Sequence, residues 1–191
     1  MDAVVRAGAV ACDFNLPEAE AAYDVFLAGG LGAIGLRSFL DRELPEWLDQ
    51  LDPVIAPAVR SAERLGALEY LARAARLADL TRMAAARLDA VDVIASPTLC
   101  LTPPLMSEVA DAESHLRVNL RIVRNTAWVN YLGLCATTMP VGRDRAGMPV
   151  GLRLTAPARA EEKLLTIALA VERLLGTGAD RLGTPPLLAG S

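Results

Sequence analysis

Pro140-Val141-Gly142, followed after four further residues by Gly147-Met148-Pro149-Val150-Gly151-Leu152-Arg153-Leu154, is the most informative stretch of this chain. The runs 135–141 and 150–155 are rich in apolar and β-branched residues, and the polar connection between them has a glycine at each end. Two such runs around a short glycine-containing connection are typical of a β-hairpin. The sequence therefore predicts two adjacent antiparallel strands here.

Helices are predicted on both sides of this hairpin. The segment 116–132 is helical in character and ends at Gly133. The segment 160–175 has acidic side chains in its first turn, where they complement the helix dipole, and ends at Gly176. Its apolar side chains form one stripe, which predicts one buried face. The stripe consists of Leu164, Ile167, Ala168, Val171, Leu174 and Leu175.

The first half of the chain is also predicted to be largely helical. Segments 2–7 and 18–28 have helical patterns, and 57–88 predicts two helices with a break near Gly66. An apolar stripe with helical spacing is predicted to face the core. This stripe consists of Leu65, Leu68, Leu71, Ala72 and Ala75.

Two further strands are predicted from short apolar runs. One is 8–16, which ends at Pro17, and the other is 91–95, which precedes a proline-rich loop at 97–104. About four strands among many helices, without regular βαβ alternation, predict an α/β fold with a mixed β-sheet flanked by helices.

The composition excludes several classes of protein. Of the 191 residues, 53% are hydrophobic, 22% are charged and 4% are aromatic, which is a globular balance. The net charge of −4 and the scattered arginines give no basic face for nucleic acid. No segment has the roughly eighteen uninterrupted apolar residues of a membrane span. We therefore expect neither a nucleic-acid nor a membrane partner.

Cysteine and histidine usage bears on compartment and metal binding. Cys12, Cys100 and Cys135 are odd in number and widely spaced, and His115 is the single histidine. This pattern argues against a disulfide framework and a zinc site. We therefore expect no metal, no cofactor and a cytoplasmic location. Each cysteine has apolar neighbours, which favours core packing over catalysis.

Two other groups of residues have both a chemical and a structural interpretation. The segment 30–35 matches the G-x-G-x-x-G string of dinucleotide-binding loops, but it follows a predicted helix rather than a strand, so a flexible helix exit is favoured. His115 has Asp111 and Glu113 nearby but no nucleophile, so a surface histidine is favoured over a catalytic base.

Four motifs occur in a fixed order over about eighty residues. They are Asp92-Val93-Ile94-Ala95-Ser96-Pro97-Thr98 with Pro103-Pro104, then Thr126-Ala127-Trp128-Val129-Asn130-Tyr131-Leu132-Gly133-Leu134, then the hairpin, then the last helix with Glu161-Glu162, Leu164-Leu165 and Glu172. Their order and spacing resemble the C-terminal signature of the amidase-signature family. Cys135 stands where many relatives have proline, and Arg153 stands where glutamine is usual.

The resemblance implies hydrolysis of C–N bonds in small or linear amides through an acyl-enzyme. The family uses a serine nucleophile, a second serine joined by a cis peptide bond, and a neutral lysine. Lysine is neutral only where burial or nearby donors lower its pKa. The only lysine here, Lys163, follows two glutamates that favour its charged form, and no two serines are adjacent. We therefore expect no catalytic residue in this chain.

On this resemblance, residues 1–191 are expected to be the C-terminal portion of an amidase-signature domain, with 176–191 as a surface tail. We expect a small-molecule amide substrate, no activity of the chain alone, an exposed apolar face, and either self-association or association with a missing N-terminal half. A non-catalytic fragment or a half-domain whose partner chain carries the nucleophile remains an alternative. An unrelated α/β binding module remains another.

The resemblance also places two loops near the acyl site of the family. These loops contain Thr98, Arg124, Asn125 and Thr126, which we predict to bind substrate. A structural role stays open for each, as it does for Trp128 and Asn130. Arg124 is the sharpest prediction, because a guanidinium can hold a carboxylate or carbonyl oxygen through paired hydrogen bonds.

Overall fold

The structure, a computed structural model, describes residues 2–183. The helices are α1 (Asp2–Arg6), α2 (Pro17–Leu27), α3 (Gly32–Glu43), α4 (Ala56–Ser61), α5 (Ala67–Leu88), α6 (Ala112–Tyr131), α7 (Glu161–Leu175) and α8 (Gly178–Leu182). Short 3-10 helices lie at Pro45–Gln50, Ala62–Arg64 and Met106–Val109. The strands are β1 (Ile94–Pro97), β2 (Cys135–Arg143) and β3 (Pro149–Ala156).

The strands form one antiparallel sheet in the order β1-β3-β2. The predicted hairpin joins β2 to β3. Gly147 has a φ of 79° at its turn, a left-handed conformation that glycine adopts readily. Asp144 Oδ1 accepts hydrogen bonds from the backbone N–H groups of Ala146 and Met148 at 2.8 and 2.9 Å, which closes the turn. The α/β fold is confirmed, but the described residues form three antiparallel strands rather than about four mixed ones.

The predicted strand at 8–16 does not form. Residues 9–16 have no regular secondary structure, and no strand of the described residues lies beside them. An extended segment becomes a strand only when a neighbouring strand pairs with its backbone groups, and an apolar pattern does not reveal whether such a neighbour exists. Cys12 lies in this segment and is exposed, so its predicted core packing is wrong.

The sheet packs one face against α7. The buried residues of this cluster, which we call the sheet core, are Met139, Leu154, Ala156, Leu164, Ala168 and Val171. Burying a large aliphatic side chain contributes about 1.5–3 kcal/mol. The predicted stripe of the last helix therefore supplies half of this core, and Gly176 ends the helix with a φ of 87°.

A second core joins α2, α5 and the end of α6. Its buried residues are Ala22, Leu77, Leu80, Ala84 and Leu132. Beside it, the Arg87 guanidinium donates to both carboxylate oxygens of Glu18, which is 2% exposed. These hydrogen bonds lower the pKa of Glu18 from its usual value.

The apolar stripe on the N-terminal half of α5, which was predicted to be buried, faces away from this core. Leu68 is 84% exposed and Leu71 is 61% exposed, and Ala72 and Ala75 are exposed as well. The helix pattern was therefore correct, but the buried face is the opposite one, carrying Leu77, Leu80, Ala84 and Leu88. Periodicity identifies a stripe without revealing which elements are available to cover it.

The glycine-rich segment 30–35 ends one helix and begins another. Gly29 and Gly30 have positive φ values at the exit of α2, which confirms the helix-exit interpretation. Tyr131 approaches Gly30 so closely that a side chain there would collide, and its hydroxyl accepts a hydrogen bond from the Leu31 N–H at 3.2 Å. Gly32 and Gly35 belong to α3, a helix that the sequence pattern did not predict.

Helices α3 and α4 form a small helical unit with the two 3-10 helices around them. Leu40, Ala56 and Val59 are its buried apolar residues. An open surface cavity of about 720 Å³ lies beside α4, with Asp49, Arg60, Ser61, Glu63 and Arg64 among its lining residues.

The predicted surface tail at 176–191 begins with an ordered helix. Helix α8 packs against β2. Arg181 Nη1 donates to the Val141 carbonyl at 3.0 Å, and Gly178 lies against Pro140. Residues 184–191 lie outside the described residues, and the assignment of 176–191 as a surface tail stays a prediction.

None of the helices in residues 2–183 is by itself long and apolar enough to cross a bilayer. One bent pair, Pro17–Leu27 with Gly32–Glu43 at 47°, meets the length and composition criteria when taken together. The cytoplasmic location stays a prediction.

Candidate functional site

The sheet face opposite the sheet core is polar. Side chains alternate along a strand, so Leu152 and Leu154 face α7 while Arg153 faces the other side. The strand register pairs Arg153 with Ser96 of β1 and with Thr138 of β2. We call Ser96, Thr138 and Arg153, together with Thr98 and Asn125, the polar cluster.

Thr98 is held at the end of β1 by β3 and β2. Its backbone N–H donates to the Gly151 carbonyl at 2.8 Å, and its hydroxyl is hydrogen-bonded to the hydroxyl of Thr138. Thr138 Oγ1 also donates to the Leu152 carbonyl at 3.3 Å. A Cβ at Gly151 would lie 2.6 Å from Thr98 Oγ1, so only glycine fits between the two threonines.

Asn125 connects helix α6 to the same loop. Its side-chain Nδ2 donates to the carbonyl oxygen of Pro97 at 3.0 Å, and its backbone carbonyl oxygen accepts a hydrogen bond from Arg153 Nη1. Two of the predicted site residues, Thr98 and Asn125, therefore lie on either side of Pro97. The two motifs that contain them are far apart in sequence but adjacent in space.

Arg153 is the residue of this site that sequence reasoning missed. It is 4% exposed, its Nη2 donates to Ser96 Oγ at 3.0 Å, and its guanidinium carbon lies 4.9 Å from the ring centre of Trp128. Burial lowers the pKa of Arg153 from its usual value. The available signal was the arginine itself, which stands where glutamine is usual in the family that the sequence resembles.

Arg124 and Thr126 are not drawn into the polar cluster. Arg124 is exposed and makes no hydrogen bond or ion pair with the described residues. Thr126 Oγ1 donates to the Val123 carbonyl of its own helix at 3.3 Å, an ordinary intrahelical bond. Their predicted contact with substrate stays a prediction.

Lys163 lies on α7, on the other side of the sheet from the polar cluster. Its Nζ is 2.8 Å from Asp92 Oδ1, and its side chain is 52% exposed. No hydrogen bond joins Lys163 to a serine within residues 2–183. This ion pair and the intervening sheet keep the Lys163 ammonium away from the polar cluster.

The remaining candidates, two cysteines and the histidine, are held by contacts with backbone groups or lie near a helix cap. Cys100 is exposed, so its predicted core packing is wrong as well, and its Sγ donates to the Arg121 carbonyl at 3.0 Å. Cys135 is half-buried beside the sheet core and donates to the Pro157 carbonyl at 3.0 Å. His115 is partly exposed in the first turn of α6, where Asp111 caps the helix by accepting from Glu113 and Ser114.

Comparison with known proteins identifies the family. A protein-family model described as Amidase matches residues 39–165. The chain is 44% identical over 184 residues to a 2-amino-5-chloromuconic acid deaminase from Comamonas testosteroni, covering 96% of this chain and 40% of that protein. It is 42% identical over 86 residues to a fatty acid amide hydrolase from Oryza sativa subsp. indica, covering 44% of this chain and 14% of that protein.

Solved structures show the same fold. A crystal structure of an amidase superposes with a TM-score of 0.75 at 24% identity, covering 92% of this chain and 40% of that one. A 6-aminohexanoate cyclic dimer hydrolase complexed with substrate gives a TM-score of 0.63 at 22% identity, covering 88% and 43%. The chain thus spans about 40% of the length of the deaminase. The family resemblance read from the four motifs is confirmed, and the chain belongs to the amidase family.

Proposed function

We propose that this chain forms one wall of the active site of a hydrolase that cleaves C–N bonds in small or linear amides. The hydrogen bond from Asn125 Nδ2 to the Pro97 carbonyl is the observation that carries the proposal. It joins two motifs of the family into one polar surface that also contains Thr98. That surface lies on the sheet face that α7 leaves uncovered, where a substrate has access to polar groups.

The relatives support a C–N bond as the target. The deaminase with 44% identity acts, by its name, on an amino-substituted acid, and the plant relatives act on fatty acid amides. Both names describe removal of a nitrogen group. Because fold alone does not fix the substrate, the proposal is limited to the bond type and to the wall that this chain contributes.

The catalytic residues are proposed to come from protein outside these 191 residues. A serine nucleophile needs a base within hydrogen-bond reach, and lysine serves as that base only when neutral. Lys163 is paired with Asp92, and the sheet separates it from the polar cluster. The family's Ser-cisSer-Lys acyl-enzyme chemistry therefore requires a further segment or partner chain.

The apolar stripe of α5 is proposed as the surface that such a segment covers. Leu68 and Leu71 project from the face opposite the core, and Ala72 and Ala75 continue the stripe. Exposed apolar stripes of this kind mark association surfaces. A second copy of the chain is the competing occupant, and self-association of the purified chain would reveal it.

Reconstitution tests the proposal. The purified chain is assayed on a panel of acyl amides, first alone and then joined to the remaining amidase segment. That segment is taken from DNA next to the gene or from an amidase relative. We expect no hydrolysis by the chain alone and hydrolysis by the joined protein. Hydrolysis by the chain alone that is lost on mutating a residue within it would contradict the assignment of the catalytic residues.

A non-catalytic role is the second candidate function. The Lys163–Asp92 ion pair favours it, since it removes the chain's only lysine from base catalysis. Under this alternative the joined protein also fails to hydrolyse any amide of the panel. A cytoplasmic location is proposed for either function.

A further inference from the structure

Arg153 is a buried cation that has no anionic partner within residues 2–183. It is 4% exposed, and its two hydrogen-bonded nitrogens donate to neutral oxygens of Asn125 and Ser96. Its Nε is buried and has no hydrogen-bond partner. A guanidinium has five N–H donors, so most of its capacity is unused.

The Glu18–Arg87 pair shows how this chain accommodates another buried charge, because the buried carboxylate of Glu18 is neutralised by the exposed guanidinium of Arg87. Arg87 donates to both carboxylate oxygens of Glu18, at 3.1 Å each. Within residues 2–183, Arg153 has only two neutral hydrogen-bond acceptors and the face of Trp128 at 4.9 Å to offset its charge, and a cation–π contact compensates a desolvated charge in part. Burying a cation without a counter-charge is unfavourable, so the polar cluster lacks an anion.

A second unpaired arginine lies on the same face of α6 as Trp128. Arg124 and Trp128 are four residues apart on the helix, a spacing that places side chains next to each other. Arg124 is exposed, and the described residues offer it no carboxylate. The Arg153 guanidinium therefore lies over the indole ring, and Arg124 is one helical turn before that ring on the same helix face, in a chain whose net charge is −4.

We infer that Arg124 and Arg153 form a carboxylate-binding subsite, so that the substrate of the proposed active site carries a carboxylate group. This inference rests on the proposed function. Arg124 contacts the carboxylate from the open side through paired hydrogen bonds. Arg153 is a positioning residue, because it holds Asn125 and Ser96 in place and adds positive potential behind Trp128.

The subsite is tested by binding of adipate to the 191-residue chain, with adipamide as the uncharged probe of the same length. Trp47→Phe leaves Trp128 as the only tryptophan, so its fluorescence reports on the subsite. We expect a saturable change with adipate that weakens as salt is added, and none with adipamide. Equal responses to the two probes, or no response to adipate, would overturn the inference.

Substitutions assign the response to the two arginines. Arg124→Gln and Arg153→Gln are each expected to weaken adipate binding by about tenfold or more. The first removes the charged donor to the carboxylate, and the second removes the positive potential behind Trp128 and the hydrogen bonds that hold Asn125 and Ser96. Arg82→Gln is the matched control, since Arg82 is exposed on α5 and pairs with Asp79 at 2.7 Å. If Arg153→Gln fails to fold, the exposed Arg124→Gln decides, and unchanged adipate binding by that variant overturns the inference.

The joined protein separates this inference from the proposed function. Equal kcat/KM values for acidic and neutral amides would retain amide hydrolysis while overturning the carboxylate subsite. The counter-charge of Arg153 would then be a carboxylate of the protein itself. Adipate binding that depends on Arg124, combined with no hydrolysis of any amide, would retain the subsite and contradict the proposed function.

Discussion

The two faces of the sheet are built from alternate residues of the same strand, and the chain completes only one of them. Leu152 and Leu154 of β3 pack toward α7 in the sheet core. Arg153, between them, faces the polar cluster with a buried nitrogen that lacks a partner. The first face is completed by folding of this chain, and the second keeps a buried donor without a partner among the described residues. This difference separates residues that stabilise the fold from those that serve the proposed site.

The sheet core is where substitution should cost most. Leu154→Ala removes a 3% exposed side chain from the middle of β3, and we expect a loss of about 2–5 kcal/mol in the free energy of unfolding. Urea denaturation measures it. Leu165→Ala on α7 is the matched control, because Leu165 is 54% exposed; equal losses for the two variants would show that the sheet core is assigned incorrectly.

The Glu18–Arg87 pair provides the contrast with the unpaired Arg153. The folded-state pKa of Glu18 lies below its usual value of 4.5 because Arg87 donates hydrogen bonds to it. Its contribution is therefore complete above the unfolded-state pKa and is lost as the pH falls through the folded-state pKa. Glu18→Gln should lower stability by about 1.5–3 kcal/mol near neutral pH.

Unfolding measured at several pH values tests this expectation. The stability difference between the parent chain and Glu18→Gln should shrink as the pH falls below 4.5. Asp79→Asn, which breaks the exposed pair with Arg82, serves as the control and should change little at any pH. A difference for Glu18→Gln that grows toward acid pH would contradict the sign of the pKa shift.

Gly151 belongs to the polar face, where its neighbours Thr98 and Thr138 leave no space for a side chain. Gly151→Ala would put a Cβ 2.6 Å from Thr98 Oγ1 and 2.9 Å from Thr138 Oγ1, and we expect overpacking to cost about 1–3 kcal/mol. Gly35→Ala in α3 meets nothing within 4 Å and should stabilise the helix slightly. Thermal melts of the two variants should therefore shift in opposite directions.

The exposed stripe of α5 should show the smallest effect on stability. Leu68→Ser changes a residue that is 84% exposed, so the free energy of unfolding should stay within about 0.5 kcal/mol of the parent value. Self-association measured by light scattering should decrease, because the variant interrupts an apolar surface. A large loss of stability with unchanged association would show that Leu68 is part of the fold rather than of an interface.

The parts of the fold that depend on local pattern could be predicted from the sequence. The hairpin and the helices at 160–175, 116–132 and 57–88 follow from periodicity and from glycine positions, which are local properties. The strand at 8–16 and the buried face of α5 were predicted incorrectly. Both depend on which partner elements are present, and a pattern within one segment carries no record of its partners.

The composition of the candidate site could be predicted in part, because two of its residues lie in recognisable motifs, while their role in binding substrate stays a prediction. Thr98 and Asn125 were predicted from motifs, and they lie on either side of Pro97. Arg153 was missed because an arginine in an alternating strand normally indicates a solvated face. Arg153 becomes buried against Trp128 only when α6 packs across the polar face of the sheet. A local sequence pattern does not predict this packing.

The activity of Arg124→Ala in the joined protein tests the active-site wall most directly. Arg124 is exposed and makes no hydrogen bond or ion pair with the described residues. We expect kcat/KM for an acidic amide to fall by about tenfold or more, with the melting temperature unchanged. A variant that melts well below the parent protein while its folded fraction turns over normally would show that Arg124 is structural, and would contradict the assignment of this surface to substrate binding.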